Sequence, residues 1–135
     1  KSIQVIWGMA RMEMAPVMMH AAAFSNSLDR VILAEPLASY KSIVTSHSYK
    51  SSFISSTVPA ALTRYDLPEL AGTLAPRNLT IVNPVNSMGK PDNSQEIKSD
   101  MDVIRAYYKR NSAEDKLNIL YNADTEKTDI TKLIK

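Results

Sequence analysis

The side chains best suited to chemistry in this chain are its two histidines and a glutamate that follows an apolar run. His20 lies in the apolar stretch MMHAAA, which is typical of a packed core histidine that makes one hydrogen bond. His47 lies in the polar stretch TSHSYKSS, which is typical of an exposed loop, where it is a possible ligand contact. Glu35 follows a predicted strand at the end where α/β folds bind ligands, so it either contacts a ligand or is an ordinary loop carboxylate.

These residues predict neither a metal site nor a cofactor site. Two histidines without a third ligand at zinc-like spacing do not make a zinc site. The chain has no cysteine, which excludes disulfides, thiolate ligands and a cysteine nucleophile. His47 and Ser48 do not form a catalytic pair, because adjacent side chains generally point apart. The three glycines follow neither the GxGxxG nor the GxxxxGK spacing of a phosphate-binding loop.

Charge and hydropathy exclude two classes of partner. The 16 basic and 14 acidic residues give a net charge of +2, and their scatter along the chain predicts no nucleic-acid partner. No apolar run approaches the roughly 20 residues of a membrane helix, so we expect no membrane span. The absence of cysteine fits compartments of either redox state, which leaves the localisation undetermined. Because the chain begins at Lys1, directly before a predicted strand, we expect it to be processed or a piece of a longer protein.

The elements that must position these residues alternate between strands and helices. Apolar runs rich in β-formers predict four strands, over 3–7, 31–35, 79–84 and 117–122. Periodicity and capping signals predict helices over 15–24, over 66–74, from Asn93 with Glu96 in an approximate capping box, and over 128–134. The Ser- and Thr-rich stretch 39–62 predicts brief helices or an excursion.

This order predicts an α/β fold with a parallel sheet of about four strands. Right-handed crossovers between strands that lie side by side in sequence order put their helices on one face of the sheet. Only the last helix could cross to the other side, so we expect one face and the open edge of the first strand to lack cover. The whole chain, 1–135, therefore reads as a single domain or as the second half of a larger one.

Two blocks of the sequence carry a resemblance to a known family. They are PVMMHAAAFSNSLDRVILAEPLASY, over 16–40, and VPAALTRYDLPELAGTLAPRNLTIVNPVNSMGKP, over 58–91. Together they resemble the carboxyl-terminal half of α/β-hydrolases of the acetylxylan-esterase and dipeptidyl-peptidase-like group, and YDLPxLAxxLAPR is the most specific part. The resemblance implies a nucleophile on a strand-to-helix turn, with an acid and a histidine after later strands. It also implies a bacterial, exported (periplasmic or extracellular) protein with a glycan ligand.

The positions that match this machinery hold residues that cannot perform it. The resemblance places Met12 at the nucleophile position, or Ala10 in a second register, and neither side chain can attack a carbonyl. Asn86 stands where the acid is expected and Thr125 where the histidine is expected, and neither can replace them in acid–base chemistry. Asp92 or Asp124 could supply the acid, but without a nucleophile and a base this would not restore hydrolysis.

The sequence therefore favours an α/β-hydrolase-like protein with a degenerate triad that is non-catalytic as it stands. One alternative is a fragment of an active serine esterase of acylated glycans, with its machinery elsewhere. Another is a small interaction module that dimerises through its open first strand. Five of the seven methionines lie between positions 9 and 19, and they form either a partner face or ordinary core. The predicted partners are a second copy, a missing half-domain or a glycan.

Overall fold

The computed structural model describes residues 4–125 as a four-stranded sheet with helices between its strands. All three pairs of neighbouring strands are parallel, and the strands lie in sequence order. This confirms the predicted α/β class and the predicted parallel sheet. The elements are β1 (Trp7–Arg11), α1 (Met14–Phe24), β2 (Arg30–Ala34), α2 (Tyr40–Thr45), α3 (Leu67–Gly72), β3 (Asn78–Val82), α4 (Gln95–Arg110) and β4 (Leu117–Leu120).

The first strand lies further along the chain than its composition predicts. Of the predicted strand 3–7, residue 3 lies outside the described residues and only Trp7 belongs to β1, because Val5 and Ile6 are half exposed and pairing with β2 runs from Trp7 to Arg11. Gly8 leaves room for the side chains packed against β1: a Cβ atom there would lie 2.9 Å from Met18 Sδ and 3.2 Å from Leu28 Cδ1, so these side chains would have to shift. The sheet therefore uses a strand of alternating small and large residues instead of the more apolar run before it.

Other predicted bounds differ from the structure by one or two residues: 15–24 is α1 (Met14–Phe24), 31–35 is β2 (Arg30–Ala34) and 66–74 is α3 (Leu67–Gly72). Strands β3 and β4 each end two residues before the predicted 84 and 122. Helix α4 is capped by Ser94, whose Oγ accepts from the Ile97 amide, and not by Asn93. The stretch 39–62 forms α2 and two short 3-10 turns, as one of its alternatives predicts. The predicted helix over 128–134 lies outside the described residues.

Helices α1, α3 and α4 pack side by side on one face of the sheet, as the crossover rule predicts. Alternate residues of each strand face these helices and belong with them to one apolar core. The four apolar positions of α4 that helical spacing predicts are all buried. The largest fully buried side chains of this core include Tyr108, Phe53, Leu33, Leu37, Leu67, Leu74, Leu79, Ile81, Met101 and Ile104.

The opposite face of the sheet is not bare, which corrects the expectation that it lacks cover. At its centre Ile32, Ala34, Thr80 and Val82 are all less than 9% exposed. The exposed positions of this face lie on the two outer strands: Trp7 (46%) and Met9 (39%) on β1, and Asn118 on β4. An uncovered face would need shielding by a second copy, and the burial at its centre removes that reason to expect self-association. The surface that is left for self-association is the edge of β1.

The stretch YDLPELAG folds as a cap that serves two helices. Asp66 Oδ1 accepts from the Leu67 amide at 2.7 Å, and Glu69 Oε2 accepts from the Asp66 amide at 3.1 Å. Together these residues form a capping box at the start of α3. The same carboxylate accepts from the Tyr40 and Lys41 amides at 2.6 and 3.0 Å, at the start of α2. One aspartate thus satisfies amide groups at two helix N-termini that have no partner within their own helix.

Arg77, at the end of the same motif, ties the helices together. Its guanidinium donates to the carbonyl oxygens of Ala22 at 2.7 Å, Ser25 at 2.9 Å and Leu28 at 3.4 Å, at and beyond the end of α1. Its own carbonyl accepts from the hydroxyl of Tyr108, in α4, at 2.7 Å. Arg77 therefore connects the end of α1, the start of β3 and the core face of α4.

We expect Arg77→Met to lower the free energy of unfolding by about 2–4 kcal/mol, because partly buried carbonyls lose a charged donor. Arg64→Met is the matched control: Arg64 is exposed, and its loss should cost less than about 0.5 kcal/mol. Urea unfolding of both variants measures the difference. Equal midpoints for the two variants would show that Arg77 does not organise the helices.

Candidate functional site

The carboxyl edge of the sheet is built from three residues in left-handed backbone conformations. Met12, Glu35 and Asn83 each follow the last residue of β1, β2 and β3, with φ of 52°, 52° and 50°. Their amides extend the ladder by one bond each, to Ala34 O at 3.0 Å, Val82 O at 2.7 Å and Leu120 O at 2.7 Å. The three residues are therefore level with one another, and the chain bends at all three.

Proline explains why two of these strands end where they do. Glu35 and Asn83 both precede a proline, which has no N–H group with which to continue the ladder. After the bend the two chains pair again, with a parallel bridge between Leu37 and Val85. The matching sequences LAEPL and IVNPV carry the signal for this shared bend.

Met12 occupies the turn between β1 and α1. Its φ of 52° is uncommon for a side chain other than glycine or asparagine, and its carbonyl accepts from the Ala15 amide at 3.0 Å. Its side chain is partly buried against the core, and its Cε would lie 3.6 Å from a Cβ added at Gly89. Ala10, the nucleophile position of the second register, lies inside β1 and is 9% exposed.

Asn86 holds a tight loop closed. Its Oδ1 accepts from the amides of Met88 at 3.0 Å and Lys90 at 3.2 Å, and its carbonyl accepts from the Gly89 amide at 2.9 Å. Gly89 has a φ of 73°, which favours glycine there. This loop lies beside Met12, so the structure brings two of the three triad-equivalent positions to the same edge. Asn86 uses its side-chain oxygen for backbone structure.

Thr125 reaches the edge through Glu35. Its hydroxyl donates to Glu35 Oε1 at 3.4 Å, and Glu35 Oε2 forms an ion pair with Arg11 Nε at 2.7 Å. Asn83 holds the preceding segment, because its side-chain amide exchanges bonds of 2.6 and 2.9 Å with the backbone of Ala123. Glu35, Arg11 and Thr125 thus form a polar group in which the carboxylate is largely buried and Arg11 is half exposed.

The two histidines lie in different surroundings. His47 is exposed, and its neighbour Ser48 accepts a bond from Ser87 Oγ at 3.1 Å, which places His47 near the loop of Asn86. His20 is partly buried and makes two hydrogen bonds, to Pro16 O at 2.7 Å and Tyr65 Oη at 2.8 Å, instead of the one predicted. Since Pro16 O can only accept, His20 Nδ1 carries the proton, and in the neutral ring Nε2 accepts from Tyr65.

A second ion pair at this edge was missed by the sequence patterns. Glu13 Oε1 accepts from Lys50 Nζ at 2.8 Å and from Ser52 Oγ at 2.6 Å. These bonds lower the pKa of Glu13 from 4.5 to about 2, and the bond from Lys50 has the largest effect. Glu13 and Lys50 are 37 residues apart, so no local spacing joins them. The pair fastens the start of α1 to the segment that precedes Phe53.

Of the two candidate replacements for the catalytic acid, Asp92 is engaged in a local hydrogen bond. Asp92 Oδ1 accepts from the Ser94 amide at 3.0 Å, beside the start of α4. Within residues 4–125, no three side chains of the metal-binding types come together to hold an ion. Within the same residues, no helix combines the length and the apolar character needed to cross a membrane.

Comparison of the chain with protein-family models, with curated proteins and with solved structures gives no match. The hydrolase resemblance therefore stands on the quoted residues alone, and function has to be argued from the geometry of the carboxyl edge. That geometry brings Met12 and the loop of Asn86 together and connects Thr125 to Glu35. The side chains of Asn86, Thr125 and Glu35 each take part in a structural hydrogen bond.

We expect Glu13→Gln to lower the free energy of unfolding at pH 7 by at most about 1 kcal/mol, because both partners of the ion pair are partly exposed. The pKa of Glu13 is lowered by folding, so its stabilisation is present above 4.5 and is lost as the pH falls toward about 2. Urea unfolding should show the difference from the unmodified chain shrinking over that range. The exposed control Glu114→Gln should show no such trend, and a constant difference for Glu13→Gln at every pH would contradict the assignment.

Proposed function

We propose that this chain is a non-catalytic α/β-hydrolase-like protein that acts by binding at the carboxyl edge of its sheet. The observation that carries the proposal is Met12. It occupies a strand-to-helix turn at positive φ, the kind of turn on which hydrolases expose a nucleophile, with a side chain that has no proton to lose and no lone pair able to form an acyl intermediate.

The other two triad-equivalent positions support the same proposal. A catalytic acid must face a base, whereas the side chain of Asn86 is committed to the backbone of its own loop. A general base must take a proton near neutral pH, and a threonine hydroxyl such as that of Thr125 does not. The fragment of an active esterase stays the alternative, since a nucleophile supplied from elsewhere would not need Met12.

A fluorophosphonate reagent, which labels activated serines, tests the non-catalytic part. We expect no adduct in the intact mass of the chain, and a rate of p-nitrophenyl acetate cleavage that is the same for the unmodified chain and for Met12→Ala. His47→Ala should remove the small rate that an exposed imidazole supplies without a site. A stoichiometric serine adduct would overturn the proposal and favour the esterase.

The ligand class that the resemblance implies is an acylated glycan, and the residues available to contact it are Glu35, Arg11 and exposed His47. Fixed, partly buried carboxylate and guanidinium groups suit the hydroxyl groups of a sugar, because charged partners make the stronger hydrogen bonds. The site also lies where open α/β sheets bind their ligands. These three features support a glycan without identifying which one.

We expect acetylated xylo-oligosaccharides to shift the amide resonances of Glu35 and His47 in 15N–1H spectra. Glu35→Gln should weaken the binding by about tenfold or more, because it removes a charged hydrogen-bond partner. Glu114→Gln, far along the chain at the β4 side, is the matched control and should leave the shifts unchanged. Shifts confined to other residues, or none at saturating sugar, would contradict a glycan site at this edge.

A further inference from the structure

Strand β1 presents an open hydrogen-bonding edge. It pairs with β2 on one side, and within residues 4–125 no strand pairs with its other side. The Met12 amide and the Ile6 carbonyl both bond toward β2, so by alternation the backbone groups of Trp7 and Met9 point outward. The side chains of both residues are exposed, at 46% and 39%. Such an edge is a template for another strand.

This edge is complementary to itself. An antiparallel partner must match outward-facing residues with outward-facing residues, and a two-fold axis through Met9 does so for the whole strand. In that register Met9 lies opposite Met9 of the second copy, and Trp7 lies opposite Arg11. Methionine adapts to an apolar neighbour, so the pair of Met9 side chains carries the register, while the Arg11 guanidinium stays in its ion pair with Glu35. If the two β1 strands were parallel, Trp7 of one copy would not lie opposite Arg11 of the other.

Helix α1 adds a second, independent surface beside the edge. Its sequence from Met14 to Phe24 contains no lysine, arginine, aspartate or glutamate. Its outer side nevertheless carries exposed apolar residues at helical spacing: Met14 at 59%, Val17 at 46%, exposed Ala21 and Phe24 at 85%. A groove of about 430 Å³ lies between this row and β1, lined by Ala10, Met14, Val17, Met18 and Ala21 among others.

The same two-fold axis covers this row. Two sheets joined edge to edge about an axis perpendicular to the sheet keep their helices on the same face, so α1 lies antiparallel to α1 of the second copy. Phe24 of each copy is then level with Met14 of the other. A two-fold axis brings like residues together, and the absence of charge along α1 means that no like-charge repulsion opposes the contact.

The other edge of the sheet shows what a protected edge looks like in this chain. The groove of about 700 Å³ beside β4 is bordered by the charged side chains Asp102, Arg105, Lys109 and Glu114. Charges of this kind discourage strand pairing. These charges lie on α4 and on the turn before β4, whereas α1 carries no charged residue and β1 carries only Arg11, so the β1 side is the less charged of the two.

We propose that β1 and α1 form the interface of a two-fold symmetric homodimer, in which β1 pairs antiparallel with β1 of a second copy about Met9. The result is a continuous eight-stranded sheet whose two α1 helices cover the seam. This inference goes beyond the proposed function and does not depend on whether the carboxyl edge binds a glycan.

Sedimentation velocity of the whole chain across a micromolar concentration series tests the dimer. We expect a dimer, and we expect Met9→Lys to weaken it by at least about tenfold, because two lysines then meet on the axis. Asn118→Lys is the matched control, an exposed position on the same face of edge strand β4, and should leave the association unchanged. Circular dichroism of both variants checks that each is folded.

A cysteine at the axis tests the register without adding charge. The chain has no cysteine, and residues in a hydrogen-bonded antiparallel pair lie about 5.5 Å apart at Cα, within reach of a disulfide. Met9→Cys should therefore form a covalent dimer on mild oxidation, whereas Asn118→Cys should not. A monomer at high micromolar concentration, a dimer that Met9→Lys leaves intact, or equal cross-linking at both positions would each overturn the proposal.

Discussion

The hydrogen bonds of Arg77 connect three elements of the fold, α1, β3 and α4. Carbonyl groups at the end of a helix have no partner within it and must find one outside. Arg77 supplies one donor group to Ala22, Ser25 and Leu28, while its own carbonyl accepts from Tyr108. Because Arg77 directly precedes β3, these bonds fix the distance between the end of α1 and the start of β3. At the opposite edge, Met12, Glu35 and Asn83 are level because the last residues of β1, β2 and β3 pair in register.

The most specific part of the hydrolase resemblance consists of residues that have structural roles. In YDLPELAGTLAPR, Tyr65 bonds to His20, Asp66 caps α2 and α3, and Arg77 closes the end of α1. Such residues are needed by any chain that adopts this arrangement of helices, whether or not it performs chemistry. A resemblance carried by them therefore argues for architecture, and activity has to be argued from the turn at Met12 and from the loops beside it.

Sequence reasoning succeeded where the determining forces are local. Helix α4 has four apolar residues on one face, and β2 is a short apolar run stopped by Glu35-Pro36, so both were predicted close to their bounds. It failed at β1, where the strand that pairs with β2 is WGMAR, with Ala10 in the core, and not the more apolar run before it. It also missed the bonds that assemble the carboxyl edge, because Glu13 and Lys50, Glu35 and Arg11, or Asn83 and Ala123 meet only after the strands have aligned. The repeated Glu-Pro and Asn-Pro endings were the one local signal of that edge.

The five methionines between positions 9 and 19 are divided between the core and the surface. Met19 is 3% exposed and Met12 and Met18 pack partly against the core, whereas Met9 and Met14 are exposed at β1 and α1. The core interpretation therefore holds for Met12, Met18 and Met19, whereas Met9 and Met14 are exposed and belong to the interface proposed above. An exposed nucleophile needs an open turn, but Met12 fills its turn with an apolar side chain beside Gly89. The two proposals, a non-catalytic turn at Met12 and a dimer edge at Trp7 and Met9, are therefore compatible with one strand.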